Sequence, residues 1–336
     1  MMARRWTMLL GLLLALLAGQ ARADNCTITP SDIVFPSVSS ISASDVFASS
    51  VNMTVTCTWT NFLTNLLTPN VTVCLYLGAG SNSSATVTAP RQIGNGALKA
   101  NYNIYTDGSY AASKIWGGWV GTSTASTPIT FSMTKTGGTG ALSQVIPLYG
   151  KLTADATLAA NVVGADDLTL TSNFGSGSAL MQYIFFIGPT QACALGPTAA
   201  IPFQVRGRVI NDCNIGVGAL TFPDASLLTS ALRSTANISI RCSNSTAYRI
   251  LLSYGDNAGS TTARKMKKLS NAETVSYQLS NTLDGTNWGD GNSGTVVVTG
   301  TGDGNSATVK VFGRVPSQTT PSPGDYKDTI TATVQF

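Results

Sequence analysis

Beyond its first two dozen residues, the chain alternates apolar and polar positions. Val51, Met53, Val55 and Cys57 alternate with Asn52, Thr54 and Thr56, and Ile330, Ala332, Val334 and Phe336 alternate with Thr329, Thr331, Thr333 and Gln335. A period of two points successive side chains to opposite faces of a strand, so each segment reads as a strand with one buried face. Gly, Asn, Asp and Ser punctuate these runs, and β-branched residues fill them, as in antiparallel sheets. No comparable 3.6-residue pattern follows the N-terminal segment. The expected fold is all-β.

The alternating segments recur as a duplication. Cys26 precedes Phe35-Pro36 as Cys213 precedes Phe222-Pro223, and a second Cys closes each segment, Cys57 after 31 residues and Cys242 after 29. Asn52 to Cys57 matches Asn237 to Cys242, Ile146 to Leu152 matches Val309 to Val315, and Leu168 to Phe174 matches Ile330 to Phe336. The repeat predicts two Ig-like antiparallel β-sandwich domains, residues 24–202 and 203–336. It also predicts the disulfides Cys26–Cys57 and Cys213–Cys242, leaving Cys74 and Cys193 to pair by elimination.

Composition places the chain outside the cytoplasm. Arg4 and Arg5, the apolar run Leu9 to Ala18 and the small residues Ala21 and Ala23 form a signal peptide over residues 1–23, too short an apolar run to span a bilayer. The six Cys all follow it, and an even number in an exported chain favours disulfides. Charged residues make up 11% of the chain, against ~25% in typical soluble domains. Removing Arg4, Arg5 and Arg22 lowers the formal charge from +4 to +1, which gives no electrostatic basis for binding nucleic acid. The chain has no His, which excludes Ser-His-Asp and Cys-His catalysis and His-containing metal sites. No enzyme, cofactor or metal is expected.

The second repeat stops at Phe336, whereas the first continues past Phe174 into the apolar run Ala179 to Ile187, long enough for one more strand. The first domain is therefore expected to complete its own sandwich and the C-terminal one to lack a strand. Ile330, Ala332, Val334 and Phe336 would line the open groove, which a partner fills by strand addition. Only Asp24 and Asn25 precede Cys26, so the mature chain is expected to accept a strand and donate none.

Cys-x8-Phe-Pro, a Cys about 30 residues on and the final Thr-x-Thr-Val-x-Phe together resemble the spore coat protein U domain, which builds the subunits of archaic chaperone–usher pili. Two such domains behind a signal peptide resemble the tip adhesin of those pili. The resemblance implies four partners: a periplasmic chaperone, an outer-membrane usher, the donor strand of the next pilus subunit, and an abiotic or host surface. It places the protein at the cell surface, at the pilus tip.

Candidate surface-binding residues lie where the first repeat is enlarged. Cys57 and Cys74 stand 17 residues apart, against nine from Cys242 to the matching Leu251, and the interval holds Trp59, Phe62, Leu63, Leu66 and Leu67. Such an apolar loop reads as an interaction patch or as a short helix capping the core, since Leu63, Leu66 and Leu67 have helical spacing. A second candidate is Trp116, Trp119 and Val120, although Trp116 aligns with Trp288 and reads equally as core. Leu158, Val162 and Val163 form a third, where the other repeat is polar, and residues 188–200 a fourth. The basic cluster Arg264 to Lys268 reads as a solvated loop, and the Gly-Asp-Gly stretches as turns. The function these features favour is a pilus tip adhesin that holds surfaces through apolar loops and promotes biofilm. The alternatives are a tip lectin and a structural pilus or spore-coat subunit.

Overall fold

The computed structural model describes residues 24–60, 62–83, 90–118, 127–163 and 167–336. Residues 1–23, expected to be a signal peptide, and the candidates Trp119 and Val120 lie outside the described residues. The chain is all-β, built as two Ig-like sandwiches, each around its own core.

In the first unit one sheet runs in the order Asn25–Thr29, Val51–Trp59, Gly140–Leu152, Leu98–Tyr105, Arg91–Asn95, Leu168–Phe174, Phe203–Ile210, Ile33–Val34. Gly140–Leu152 bends between two neighbours: up to Leu148 it pairs with Val51–Trp59, and beyond it with Tyr102 to Tyr105. A second sheet runs Thr198–Ala200, Ala179–Phe186, Asn70–Leu77, Ile129–Thr134. The alternation read from the sequence sets which side chains enter the core. Met53, Val55, Cys57 and Trp59 are buried while the residues between them are partly exposed.

The second unit repeats the plan with fewer strands. Cys213–Val217, Leu232–Cys242, Ser306–Val315 and Gln278–Ser280 form one sheet, and Val298–Thr301, Ala247–Leu252 and Ala332–Gln335 another. Lys265–Lys268 pairs with Thr274–Ser276 and Tyr326–Lys327. The three disulfides are Cys26–Cys57, Cys213–Cys242 and Cys74–Cys193.

Side-chain chemistry confirms the repeat at atomic level. Buried Arg91 donates from Nε to Gly78 O (2.7 Å) and from a terminal nitrogen to Trp116 O (2.7 Å), and Arg264 does the same to Ser253 O (2.9 Å) and Trp288 O (2.8 Å). The indole N–H of Trp116 donates to Leu75 O and that of Trp288 to Ile250 O. Gly150 and Gly313 face the segment that follows the first strand of their unit, where a Cβ would come within 2.9 Å of Ile33 and 2.7 Å of Leu220.

These equivalences correct two alignments. Leu77 and Leu252 match, because their N–H groups donate to Gly117 O and Gly289 O, so Cys74 stands opposite Arg249 rather than Leu251. Gly94 pairs with Thr171 as Lys267 pairs with Lys327, so Leu168–Phe174 corresponds to residues 324–330 rather than to Ile330–Phe336.

The strand that closes the first sandwich also differs from the expectation. Ala179–Phe186 joins the second sheet beside Asn70–Leu77, as Ala332–Gln335 lies beside Ala247–Leu252. The closing strand is Phe203–Ile210. It runs antiparallel to Leu168–Phe174 and parallel to Ile33–Val34 and Val38–Ser39. Its Phe203, Val205 and Val209 are buried in the first core, so a boundary at 202/203 falls ahead of a first-unit strand.

The units meet through short polar contacts. Ser40 Oγ donates to Ser243 Oγ at 2.7 Å, Arg241 to Ile41 O at 3.2 Å, and Asn244 Nδ2 to Ala160 O at 3.3 Å.

Candidate functional site: an open groove and a distal apolar pole

The two units differ at the edge that Phe203–Ile210 fills. In the second unit no described strand lies between the segment 217–222 and the segment 326–332. A groove of about 430 Å³ remains there. Leu220, Phe222, Met266, Tyr277, Ile330 and Ala332 line it. In this core, partly buried hydrophobics outnumber the fully buried ones, the reverse of the first core. Of the residues expected to line the groove, Ile330 and Ala332 do so. Val334 is half-buried in the sheet opposite Ile250, and Phe336 is 59% exposed.

One polar cluster shapes this edge. Asp328 accepts from Tyr277 Oη (2.6 Å), from the Asp256 N–H (3.0 Å) and from Asn257 Nδ2 (2.9 Å). Burial, then the bond to the Asp328 carboxylate, pushes the Tyr277 phenol pKa up, which keeps it a proton donor. In the first unit burial alone raises the corresponding Tyr102 to about 12. The Asp328 carboxylate thus holds the turn at Gly255 to Asn257 against the groove wall.

The other candidate surface is the end of the first unit remote from the second. The strand Val51–Trp59 leads through the helix Phe62–Leu67 into Asn70–Leu77. Asn65 anchors the helix by donating to Lys135 O (3.3 Å), and the Lys135 N–H donates to Pro69 O (2.9 Å). Leu66 and Leu67 are 63% and 55% exposed. Phe186 pairs with Asn70, which brings the following Ile187, 64% exposed, to the same pole. The disulfide Cys74–Cys193 ties that loop to the neighbouring strand.

Four of the candidate residues face inward. Trp59 is fully buried, its Nε1 donates to Thr68 O (2.9 Å), and its ring packs edge-on against Phe185 (5.2 Å), because it is the next inward position after Cys57. Trp116 is buried as the partner of Arg91. Leu158 and Val163 are buried in the first core, the former in the short helix Ala156–Ala159, and Val162 alone of that trio is exposed. That segment lies against the second unit, through Asn244, at the opposite end from Leu66. The candidate loops therefore do not converge on one pole: residues 62–67 and 187–192 share one, and 158–163 does not. Ile187 was missed in the sequence because it closes an apolar run that reads as strand interior.

Tandem Ig-like sandwiches, the second short of the strand that closes the first, define the class. The Spore Coat Protein U domain family matches residues 13–171 and 199–333, and the chain belongs to that family. The fold is similar to a chain of the crystal structure of the CsuC-CsuE chaperone-tip adhesion subunit pre-assembly complex from archaic chaperone-usher Csu pili of Acinetobacter baumannii, at 18% identity and TM-score 0.51. The match covers 93% of this chain and 100% of that one. No protein of curated function matches in sequence.

Proposed function

We propose that this chain is a pilus subunit of the archaic chaperone–usher type, exported to the cell surface, that occupies the fibre tip and attaches cells to surfaces. Its second unit docks to the fibre by accepting a strand into the groove, and its first unit presents Leu66, Leu67 and Ile187 at the remote end. The observation that carries the reading is the asymmetry between the halves: Phe203–Ile210 fills in the first unit the edge that lies open in the second. Before assembly a periplasmic chaperone covers that edge, the usher delivers the subunit, and the next subunit's donor strand replaces the chaperone. Membership of the family and the fold shared with the CsuC-CsuE complex support this sequence of partners.

Adhesion follows from dehydration of the apolar pole. Each fully covered large side chain contributes roughly 1.5–3 kcal/mol, and many pili per cell multiply weak contacts through effective concentration. Attachment by this route would promote biofilm. The test is the triple variant Leu66→Ser, Leu67→Ser, Ile187→Ser in piliated cells. Lost binding to polystyrene with pili still assembled is the expected result. Retained binding to plastic would overturn the hydrophobic mechanism, and a positive glycan array beside it would identify a lectin.

A further inference from the structure

Away from the groove and the apolar pole, the two units differ in kind on one flank of the sheet that contains Gly140–Leu152. Lys151 pairs with Phe47 and Tyr149 with Tyr105, as Arg314 pairs with Arg233 and Phe312 with Ser280. Tyr110 and Asp284 are counterparts too. Each is a non-glycine residue in the left-handed region (φ 53° and 54°), in the loop that leads to the buried Trp116 or Trp288. In the second unit this place is ionic: Asp284 accepts from Arg233 Nε (3.0 Å) and from its terminal nitrogen (2.8 Å), and Arg314 stands 3.6 Å away. In the first unit it is aromatic: the Tyr110 ring lies 4.6 Å from Phe47, 5.4 Å from Tyr105 and 6.3 Å from Tyr149.

The first unit holds these rings at a cost. A bulky side chain at positive φ is strained by on the order of 1–3 kcal/mol, whereas Asp is among the residues that tolerate that region. Phe47 is 47% exposed, and Tyr110 and Tyr149 are partly so, which leaves aromatic surface in water where the repeat uses charge. The phenol hydroxyls of Tyr110 and Tyr149 bond to no described residue. Anchoring the loop does not demand rings, because Asp284 anchors the matching loop through Arg233. Contiguous exposed apolar surface of this sort marks an interaction site.

We infer that this flank binds an uncharged, β-linked pyranose chain, stacked on Phe47, Tyr110 and Tyr149. The chemistry of the patch selects that ligand. A pyranose with equatorial hydroxyls has a flat face of C–H bonds, which packs on aromatic rings, and an edge of hydroxyls, which suits the two unpartnered phenols. A wholly apolar ligand would strand those phenols away from water. The cations at the rim are already matched, Lys151 with Asp45 (3.4 Å) and Lys114 with Asp107 (3.4 Å), so an acidic sugar gains no unpaired charge from them. Lys151 also covers the Tyr105 ring (5.9 Å), which makes that ring a support and leaves the other three as the platform. A stable protein partner needs roughly 800 Å² on each side, far more than three partly exposed rings offer. The site is separate from the apolar pole: Gly140 pairs with Trp59 there, and Tyr149 stands further along the same strand, about 30 Å on at the rise of an extended chain.

The test is saturation-transfer NMR and calorimetry on the full chain with cellopentaose and N-acetylchitopentaose, and with heparin as the acidic comparator. Irradiating aromatic protons should saturate the axial C–H protons of the neutral sugars, and heparin should not bind. The double variant Phe47→Arg, Tyr110→Asp installs the ion pair of the second unit, so it should melt no lower than the parent. It should also lose the transfer, bind at least about tenfold more weakly and leave attachment to polystyrene unchanged. Should that variant fail to fold, Tyr149→Ser, which removes one platform ring and leaves the left-handed turn alone, carries the test by the same criteria. Undiminished sugar binding by a folded variant would place the site elsewhere and overturn the inference. So would the absence of binding by either neutral pentasaccharide at millimolar concentration, or binding of heparin alone. Loss of pilus assembly or of plastic binding without any sugar binding would make the flank a protein or plastic contact, and the carbohydrate assignment would fall.

Discussion

Arg91 and Arg264 are one residue written twice: each buries its guanidinium against the main chain of an equally buried Trp and donates to it at 2.7 and 2.8 Å, and among the described residues no carboxylate bonds to either. Burial lowers Arg91 to about 10, yet it stays charged at neutral pH and satisfies the oxygens of Gly78, Leu77 and Trp116 at once. Arg91→Met should therefore remove a donor from each of three buried carbonyls. With ~1–3 kcal/mol for each orphaned buried group, unfolding of the first unit in urea should shift by at least about 3 kcal/mol, without loss of the second unit's transition.

Trp59 and its neighbours in the loop separate by role. Trp59→Ala should destabilise the first unit by about 3–5 kcal/mol, as for a buried aromatic. Leu66→Ser with Leu67→Ser should change stability by about 0.5 kcal/mol or less while reducing attachment to polystyrene. Thermal melts and an adhesion assay on the same variants distinguish the two outcomes.

Leu158→Ala is the matching control at the other end. Its side chain is buried in the first core, so the change should cost about 2–5 kcal/mol. Assembled pili carrying it should adhere as before, because the residue reaches no surface.

Replacing Cys74 and Cys193 by Ser removes a cross-link spanning 119 residues. The expected loss is about 2–5 kcal/mol, together with faster proteolysis between Ile187 and Pro197 and weaker adhesion through the released Ile187.

Tyr277→Phe removes the hydroxyl that donates to Asp328. The turn at Gly255 to Asn257 should loosen, costing on the order of 1–3 kcal/mol, as for a bond to a charged group. A fall in the second unit's melting temperature with the first unit's unchanged would verify it.

Much of this was legible in the residues. Paired Cys, Phe-Pro and Gly positions defined the repeat, and period-two alternation defined the strands. Trp59 was legible too, since it continues the parity of Met53, Val55 and Cys57; the apolar loop that follows drew it outward in the reading. The closing strand was not. Ala179 to Ile187 is the greasier run, whereas Phe203 to Val209 carries Gln204, Arg206, Gly207 and Arg208. Its outward face stays in water beside Asp32, which binds Arg206, so hydrophobicity alone ranks it second. Which strand closes a sandwich is a matter of topology, and composition does not encode topology. Likewise nothing in the pattern of residues 158–163 reveals that they abut the second unit.

The route by which the closing strand leaves its sheet has a mechanical meaning. Ile210 passes through only Asn211 and Asp212 before Cys213 enters the next sandwich. In the proposed tip role, tension between a held surface and a moving cell would enter the first unit along the axis of a strand hydrogen-bonded on both flanks. Its bonds are then sheared together instead of unzipping one after another, which is the stronger way to load a sheet.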